Sequence, residues 1–183
     1  MSGDSTKFRE CRHIIDNFAL FGFGSPGVAL LQTAKELIEN SIDACRNMQS
    51  ASVRVVLHLH AVEKYLELEV CDSGCGMEDP KAFLSCFSTS KSPDSDGSFQ
   101  TGKFGLGLSA CLLFSLVKTA QPMRIVTKIN GAFQSTITDF SFNMQTGEPT
   151  IVQRTVIIRL PWIANDNELN QGKVTVHTTY DYD

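Results

Sequence analysis

Three short runs hold residue types that chemistry could use. In Glu36-Leu37-Ile38-Glu39-Asn40-Ser41-Ile42-Asp43, Glu36, Asn40 and Asp43 recur at i, i+4 and i+7, which puts all three on one face if the segment is helical. A carboxylate beside a carboxamide can orient a water and help hold Mg2+, which takes few protein oxygens and leaves room for phosphate oxygens. An ordinary solvated helix face would carry the same pattern. The second run, Asp72-Ser73-Gly74-Cys75-Gly76-Met77, follows an apolar, strand-like stretch. An aspartate there can accept hydrogen bonds from an amino group, and alternating glycines let backbone approach a planar ligand. An aspartate that merely caps a Gly-rich turn is the plainer alternative. The third run, Gly102-Lys103-Phe104-Gly105-Leu106-Gly107, leads into a helical pattern at Leu108. Glycines ahead of a helix N-terminus permit close approach of phosphate, and the helix dipole favours an anion there. Its spacing fits neither the dinucleotide fingerprint nor a Gly-x-x-x-x-Gly-Lys-Ser/Thr loop, and it follows a polar stretch instead of a strand.

The elements that must position these runs can be read from periodicity. Phe8 to Phe18 has the pattern of a short amphipathic helix. Phe21-Gly22-Phe23-Gly24-Ser25-Pro26-Gly27 is loop chemistry. Val28, Leu31, Ala34, Leu37, Ile38, Ile42 and Cys45 then recur as one face of a helix from Pro26 to near Asn47. Ser52 to Val62 and Tyr65 to Cys71 alternate with period two and read as a hairpin around Glu63-Lys64. Ser88 to Thr101 is polar and Ser-rich, which suits a loop, and Gly105 to about Lys118 suits a helix. Met123 to Lys128, Phe133 to Phe142, Ile151 to Leu160 and Lys173 to Thr178 are strand-like, with Asn130-Gly131 as a hairpin turn between the first two. This order predicts an α/β two-layer sandwich, a mixed and mainly antiparallel sheet with helices on one face, in one domain spanning 1–183. Strand character persists at the last residues, as in a piece of something longer.

Bulk properties narrow the classes. A length of 183 residues suits one core, and 42% hydrophobic with 20% charged residues argues against disorder. The formal charge of −4 gives no broad footprint for nucleic acid or an anionic membrane. No apolar run approaches the roughly 20 residues of a membrane span, and the polar N-terminus lacks a signal-peptide core. An intracellular protein without membrane partners is expected. The six cysteines, at 11, 45, 71, 75, 86 and 111, form no Cys-x-x-Cys pair and read as reduced thiols. His58 and His60 would share one face of a strand; a metal could use that, though such pairs are more often solvent-facing.

The order and separation of the three runs resemble the GHKL ATPases, the family that includes DNA gyrase B, mismatch-repair proteins, heat-shock chaperones and histidine kinases. Glu36-x-x-x-Asn40 resembles its N box, Asp72-x-Gly74-x-Gly76 its first glycine box, and Gly102-x-x-Gly105-x-Gly107 its second. Within it, Phe21 to Pro26, Phe87-Ser88-Thr89-Ser90-Lys91, the second glycine box with Leu112-Leu113-Phe114-Ser115, and Gln121-Pro122-Met123-Arg124-Ile125 are most similar to the topoisomerase VI B-subunit and B-like family. The resemblance covers about residues 8 to 178.

It implies a Bergerat fold that binds ATP with Mg2+ and hydrolyses it slowly as an isolated domain. Glu36 would be the general base and Asn40 the metal ligand, with Asp43 supporting that face or the ribose side. Asp72 would take the adenine amino group, and Gly74 and Gly76, with Met77 beside them, would let the backbone pass the base. Gly102, Lys103, Phe104, Gly105, Leu106 and Gly107 would wrap the phosphates. Residues 77–101 would be the ATP lid, with Ser90 and Lys91 reaching the nucleotide. Thr175 would stand for the hydroxyl of the family's last box, although Gly172 is followed here by Lys173 and not by threonine. Residues 1–23 would mediate an ATP-dependent homodimer, and partners would be a DNA-cleaving A subunit or meiotic transesterase, with DNA met through that complex, in the nucleus if the source is eukaryotic. The family's downstream transducer domain lies nowhere within the 183 residues. A non-catalytic, ATP-regulated assembly module of the meiotic break machinery, or another GHKL member of the mismatch-repair, chaperone or kinase type, are the alternatives.

Overall fold

The computed structural model describes residues 3–84, 106–158 and 172–179. Among them, α1 spans Gly3–Asp16, a 3-10 turn Phe18–Phe21, α2 Pro26–Cys45, β1 Val53–His60, β2 Tyr65–Asp72, α3 Pro80–Leu84, α4 Gly107–Thr119, β3 Met123–Thr127, β4 Gln134–Asn143, β5 Glu148–Ile158 and β6 Gly172–Thr179. Relative to the sequence expectation, α1 begins earlier and α3 is new. Ser90, Lys91, Gly102, Lys103, Phe104 and Gly105, with most of the expected lid, lie outside the described residues.

The six strands run in the order β1-β2-β6-β3-β4-β5, and every described pairing is antiparallel. The last strand in sequence therefore lies in the middle and ties the β1–β2 hairpin to the β3–β4–β5 meander. Register then sorts the two faces, because side chains alternate along a strand and directly opposed residues share a side. Val70 opposes Val174, Val174 opposes Ile125, and Met123 opposes Phe140. These residues join Leu37, Leu108, Leu112 and Phe114 in one buried core, so the helices cover this face. The opposite face carries Glu67, Glu69, Arg124, Asp139 and Thr175.

The two long helices are held differently. Ser25 is extended (φ −148°, ψ 160°) and Pro26 opens α2, where its missing N–H costs nothing. The buried stripe of α2 is Ala29, Thr33, Leu37, Ser41 and Cys45; of the apolar series expected from the sequence, Leu37 and Cys45 are buried and Ala34 and Ile38 pack against the core, whereas Val28, Leu31 and Ile42 are exposed. Small and hydroxyl-bearing side chains turn inward because α2 packs closely on β2, β6 and α4. Helix α4 is buried from Leu108 through Ser115, as expected of a helix apolar on all sides. Phe18 meets Phe114 edge-to-face at 5.3 Å and Phe23 lies tilted against it at 5.0 Å, which anchors the segment ahead of α2. No helix among the described residues is long and apolar enough to cross a membrane.

Candidate functional site

The end of β2 meets the middle of α2, and there the first two motifs touch. Asp72 Oδ1 accepts the Gly74 N–H at 2.9 Å, and Oδ2 accepts the Ser41 hydroxyl at 3.2 Å. The aspartate thus caps its own glycine turn, the plainer of the two sequence expectations, and also reaches α2. Burial lifts Asp72 above the ordinary aspartate pKa, opposed by the Gly74 N–H and the Ser41 hydroxyl. It lines a cleft of about 450 Å³, counted to its solvent mouth, together with Leu37, Asn40, Ser41, Ala44, Gly76, Met77, Leu108, Ile125, Thr127 and Val174. The lining is mostly apolar with a few convergent polar groups, the character of a small-molecule site.

The glycines of the second motif serve the protein's own packing. A Cβ at Gly74 would fall 2.7 Å from the backbone of Ala44, where Cys75 N–H bonds the Ala44 carbonyl at 3.1 Å. Gly76 has φ +79°, and a Cβ there would collide with the Lys128 carbonyl. The β3–β4 connection docks on this turn through Asn130 N–H to the Cys75 carbonyl at 3.1 Å. It is accordingly longer than a two-residue hairpin, with Gly131 still providing a positive φ of 80°. The sequence expectation has these glycines make way for a base; Gly74 instead makes way for α2. Gly74→Ala is expected to lower stability by about 1–3 kcal/mol, the range for forced overpacking, because neither backbone can retreat. A urea midpoint equal to wild type would refute that role.

The first and third motifs also meet. A Cβ at Gly107, the first residue of α4, would collide with the Glu36 carboxylate, so the Glu36 side chain lies directly against the start of that helix. Gln32 donates to Glu36 Oε1 at 2.6 Å, and Lys35 Nζ lies 3.5 Å from the same oxygen. Gly22, at φ +87°, in turn presses on Gln32: a Cβ there would fall 2.9 Å from its side chain. Asn40, one turn on from Glu36, lines the cleft. Glu36 is not among the lining residues but stands beside the cleft at its α4 end.

Two of the expected residues are elsewhere. Asp43 does not line the cleft; Arg46 binds it at 2.9 Å. Thr175 is a correction. Val174 lines the cleft, so strand alternation sends Thr175 to the opposite face, opposite Glu69 and Arg124. Leu106 precedes the first residue of α4 and packs against the core. Three contributors are absent from the sequence reading. Gln32 sits four residues before Glu36, a spacing that could have revealed it. Ser41 and Thr127, which bonds the Met77 N–H at 2.7 Å, give no local signal.

A family model described as histidine kinase-, DNA gyrase B-, and HSP90-like ATPase matches residues 26–162, most of the chain. The chain belongs to this ATPase family. Among curated members, the B subunit of type 2 DNA topoisomerase 6 from Sulfurisphaera tokodaii is 27% identical over 172 residues, 91% of this chain and 30% of that protein. The protein of the same name from Saccharolobus islandicus is 30% identical over 143 residues, 75% and 26% of the two chains. That from Archaeoglobus fulgidus is 24% identical over 158 residues, 84% and 25%. The chain thus spans between a quarter and a third of the length of these relatives. A solved structure described as the N terminal domain of a DNA repair protein overlays 98% of this chain and 41% of its own at 15% identity and a TM-score of 0.45, too loose a likeness to carry weight. The ATPase domain is therefore similar to topoisomerase VI B subunits, and Asn40 and Asp72 line one cleft in it.

Proposed function

We propose that this chain is the ATP-binding and ATP-hydrolysing domain of a type IIB topoisomerase B subunit or B-like protein. The observation that carries the reading is Asp72, a part-buried carboxylate held by Ser41 and Gly74 in an apolar cleft that also presents Asn40. An apolar slot with one carboxylate suits a flat base bearing an amino group: Asp72 accepts from the amine, and Leu37, Met77 and Ile125 exclude water from the ring. The phosphates would then extend toward the start of α4, where backbone N–H groups and the helix dipole favour an anion. Asn40 fits a magnesium ligand, an amide oxygen donor at the cleft one turn from a carboxylate, leaving further positions to phosphate and water. Bound Mg2+ would neutralise phosphate charge. Glu36, oriented by Gln32 and pressed against Gly107, would accept the proton of the attacking water.

Further elements of the proposal follow the relatives. Residues 77–101 would serve as lid and 1–23 as the contact of an ATP-dependent homodimer. Phe8 and Leu20 of that segment, with Val28 and Leu31 just after it, are exposed apolar residues, which suits a surface covered on dimerisation. A DNA-cleaving A subunit would be the catalytic partner, and DNA would be met through that complex. Titration of Mg-ATP into the chain by calorimetry tests the core of the reading. A saturable one-to-one isotherm is expected; no heat of binding at millimolar nucleotide would overturn it.

A further inference from the structure

On the sheet face away from the helices, β1 and β2 gather a second set of ligand-type side chains. His58 lies directly opposite Glu67, and Glu69 stands two residues further along the same face. One ligand atom from each of the three lies within 4.8 Å of the other two. His60 flanks them: its ring stacks on Tyr65 at 4.3 Å and 20°, and its Nε2 lies 3.5 Å from Glu67 Oε2. At the other end, Thr175 opposes Glu69 from β6.

Unsatisfied polar atoms single this face out. Among the described residues, two buried side-chain polar atoms have no hydrogen-bond partner, His60 Nε2 and Thr175 Oγ1. Both border the His58–Glu67–Glu69 set, one at each end. Buried polar atoms are rarely left so, and an ion or its bound water is a common reason. Two described cations neighbour the set. Arg124 is bound to Asp139 by hydrogen bonds of 2.7 and 2.9 Å. Arg54 is largely exposed and its nearest approach to Glu69 is 3.9 Å. Cys71 donates its thiol to Glu69 Oε1 at 3.2 Å, an outer contact of the kind that orients a ligating carboxylate.

We propose that His58, Glu67 and Glu69 form a binding site for a borderline divalent cation such as Zn2+, with a metal-bound water as the fourth ligand that Thr175 and His60 hydrogen-bond. Two carboxylates neutralise the dication, and imidazole selects zinc-like ions over Mg2+, which prefers oxygen-only shells. In a tetrahedral zinc shell, ligand atoms about 2.0–2.1 Å from the metal are about 3.3 Å apart. The site lies on the face opposite the nucleotide cleft and would fasten the edge strand β1 to β2, independently of ATP.

The test is zinc titration of the metal-stripped, nucleotide-free chain in millimolar Mg2+, with cobalt as a spectroscopic probe. One zinc per chain is expected, with cobalt d–d bands but no thiolate charge-transfer band. His58→Ala and Glu67→Gln, each checked for folding by circular dichroism, are expected to weaken binding by at least the roughly 100-fold that outer-shell losses alone can reach. His60→Asn should weaken it less. Absence of stoichiometric zinc, or zinc retained in both variants and lost on alkylation of the cysteines, would overturn the proposal.

Discussion

Asp72→Asn is expected to abolish ATP binding while leaving the fold intact. The asparagine oxygen can still accept the Gly74 N–H, and its amide can donate to the Ser41 hydroxyl, so the turn keeps its bonds. Facing the base, however, an amide N–H would meet the adenine amine donor to donor. The lost charge-assisted bond and the unpaired donor together amount to about 3 kcal/mol or more, a loss in affinity of roughly 100-fold or greater. Stability should move the other way. Burial raises Asp72 above the ordinary aspartate pKa. Its stability contribution is therefore full below that ordinary value and lost as pH rises through the folded one. At neutral pH the ionised aspartate burdens the nucleotide-free domain, and the asparagine relieves it. Calorimetry should thus show no binding by a variant that melts at or above the wild-type temperature at pH 7, with the advantage vanishing in acid. Wild-type affinity in the variant would remove Asp72 from the adenine-recognising role; lost binding together with a collapsed melting transition would make its role structural.

How far the sequence could be read depended on whether a signal was local. Helix α2 was legible because Ser25-Pro26 and its motif face are short-range features, and the β1–β2 hairpin because its alternation is. The joining of the motifs was also foreseeable in outline: Asp72 and Asn40 line one cleft, and Gly107 lies against Glu36. What failed was sidedness. Of the apolar series, Leu37 and Cys45 are buried, but Val28, Leu31 and Ile42 face outward and α2 buries Thr33 and Ser41, with Ser41 giving its hydroxyl to Asp72. Thr175 was misplaced by a one-residue offset, which on a strand means the opposite face. The role of Gly74 depends on Ala44, thirty residues earlier, and Thr127 reaches Met77 across a separation of 50 residues. No periodicity within either segment encodes such pairings. The same holds for His58 and Glu67, whose meeting requires the hairpin register.

Glu36→Gln should separate hydrolysis from binding. The glutamine keeps the size and shape of the carboxylate, so it can remain against Gly107, where a bulkier or displaced group would not fit. Its oxygen can still accept from Gln32, which holds Glu36 Oε1 at 2.6 Å. Asp72, Ser41 and Asn40 are untouched, and Glu36 itself does not line the cleft; affinity for Mg-ATP should therefore stay near wild type. What the amide cannot do is take a proton from water. Loss of a general base typically costs roughly 100- to 10,000-fold in rate, and single-turnover cleavage of bound ATP should fall by that amount. The comparison requires that the wild-type chain turn ATP over measurably, alone or joined to the longer protein its relatives represent. A variant that hydrolyses ATP at the wild-type rate would take the base role from Glu36 and leave Gln32 and Gly107 bracing a residue that only shapes the site. A variant that loses binding in parallel with turnover would make Glu36 part of phosphate or metal recognition instead, since an isosteric amide changes charge there and little else.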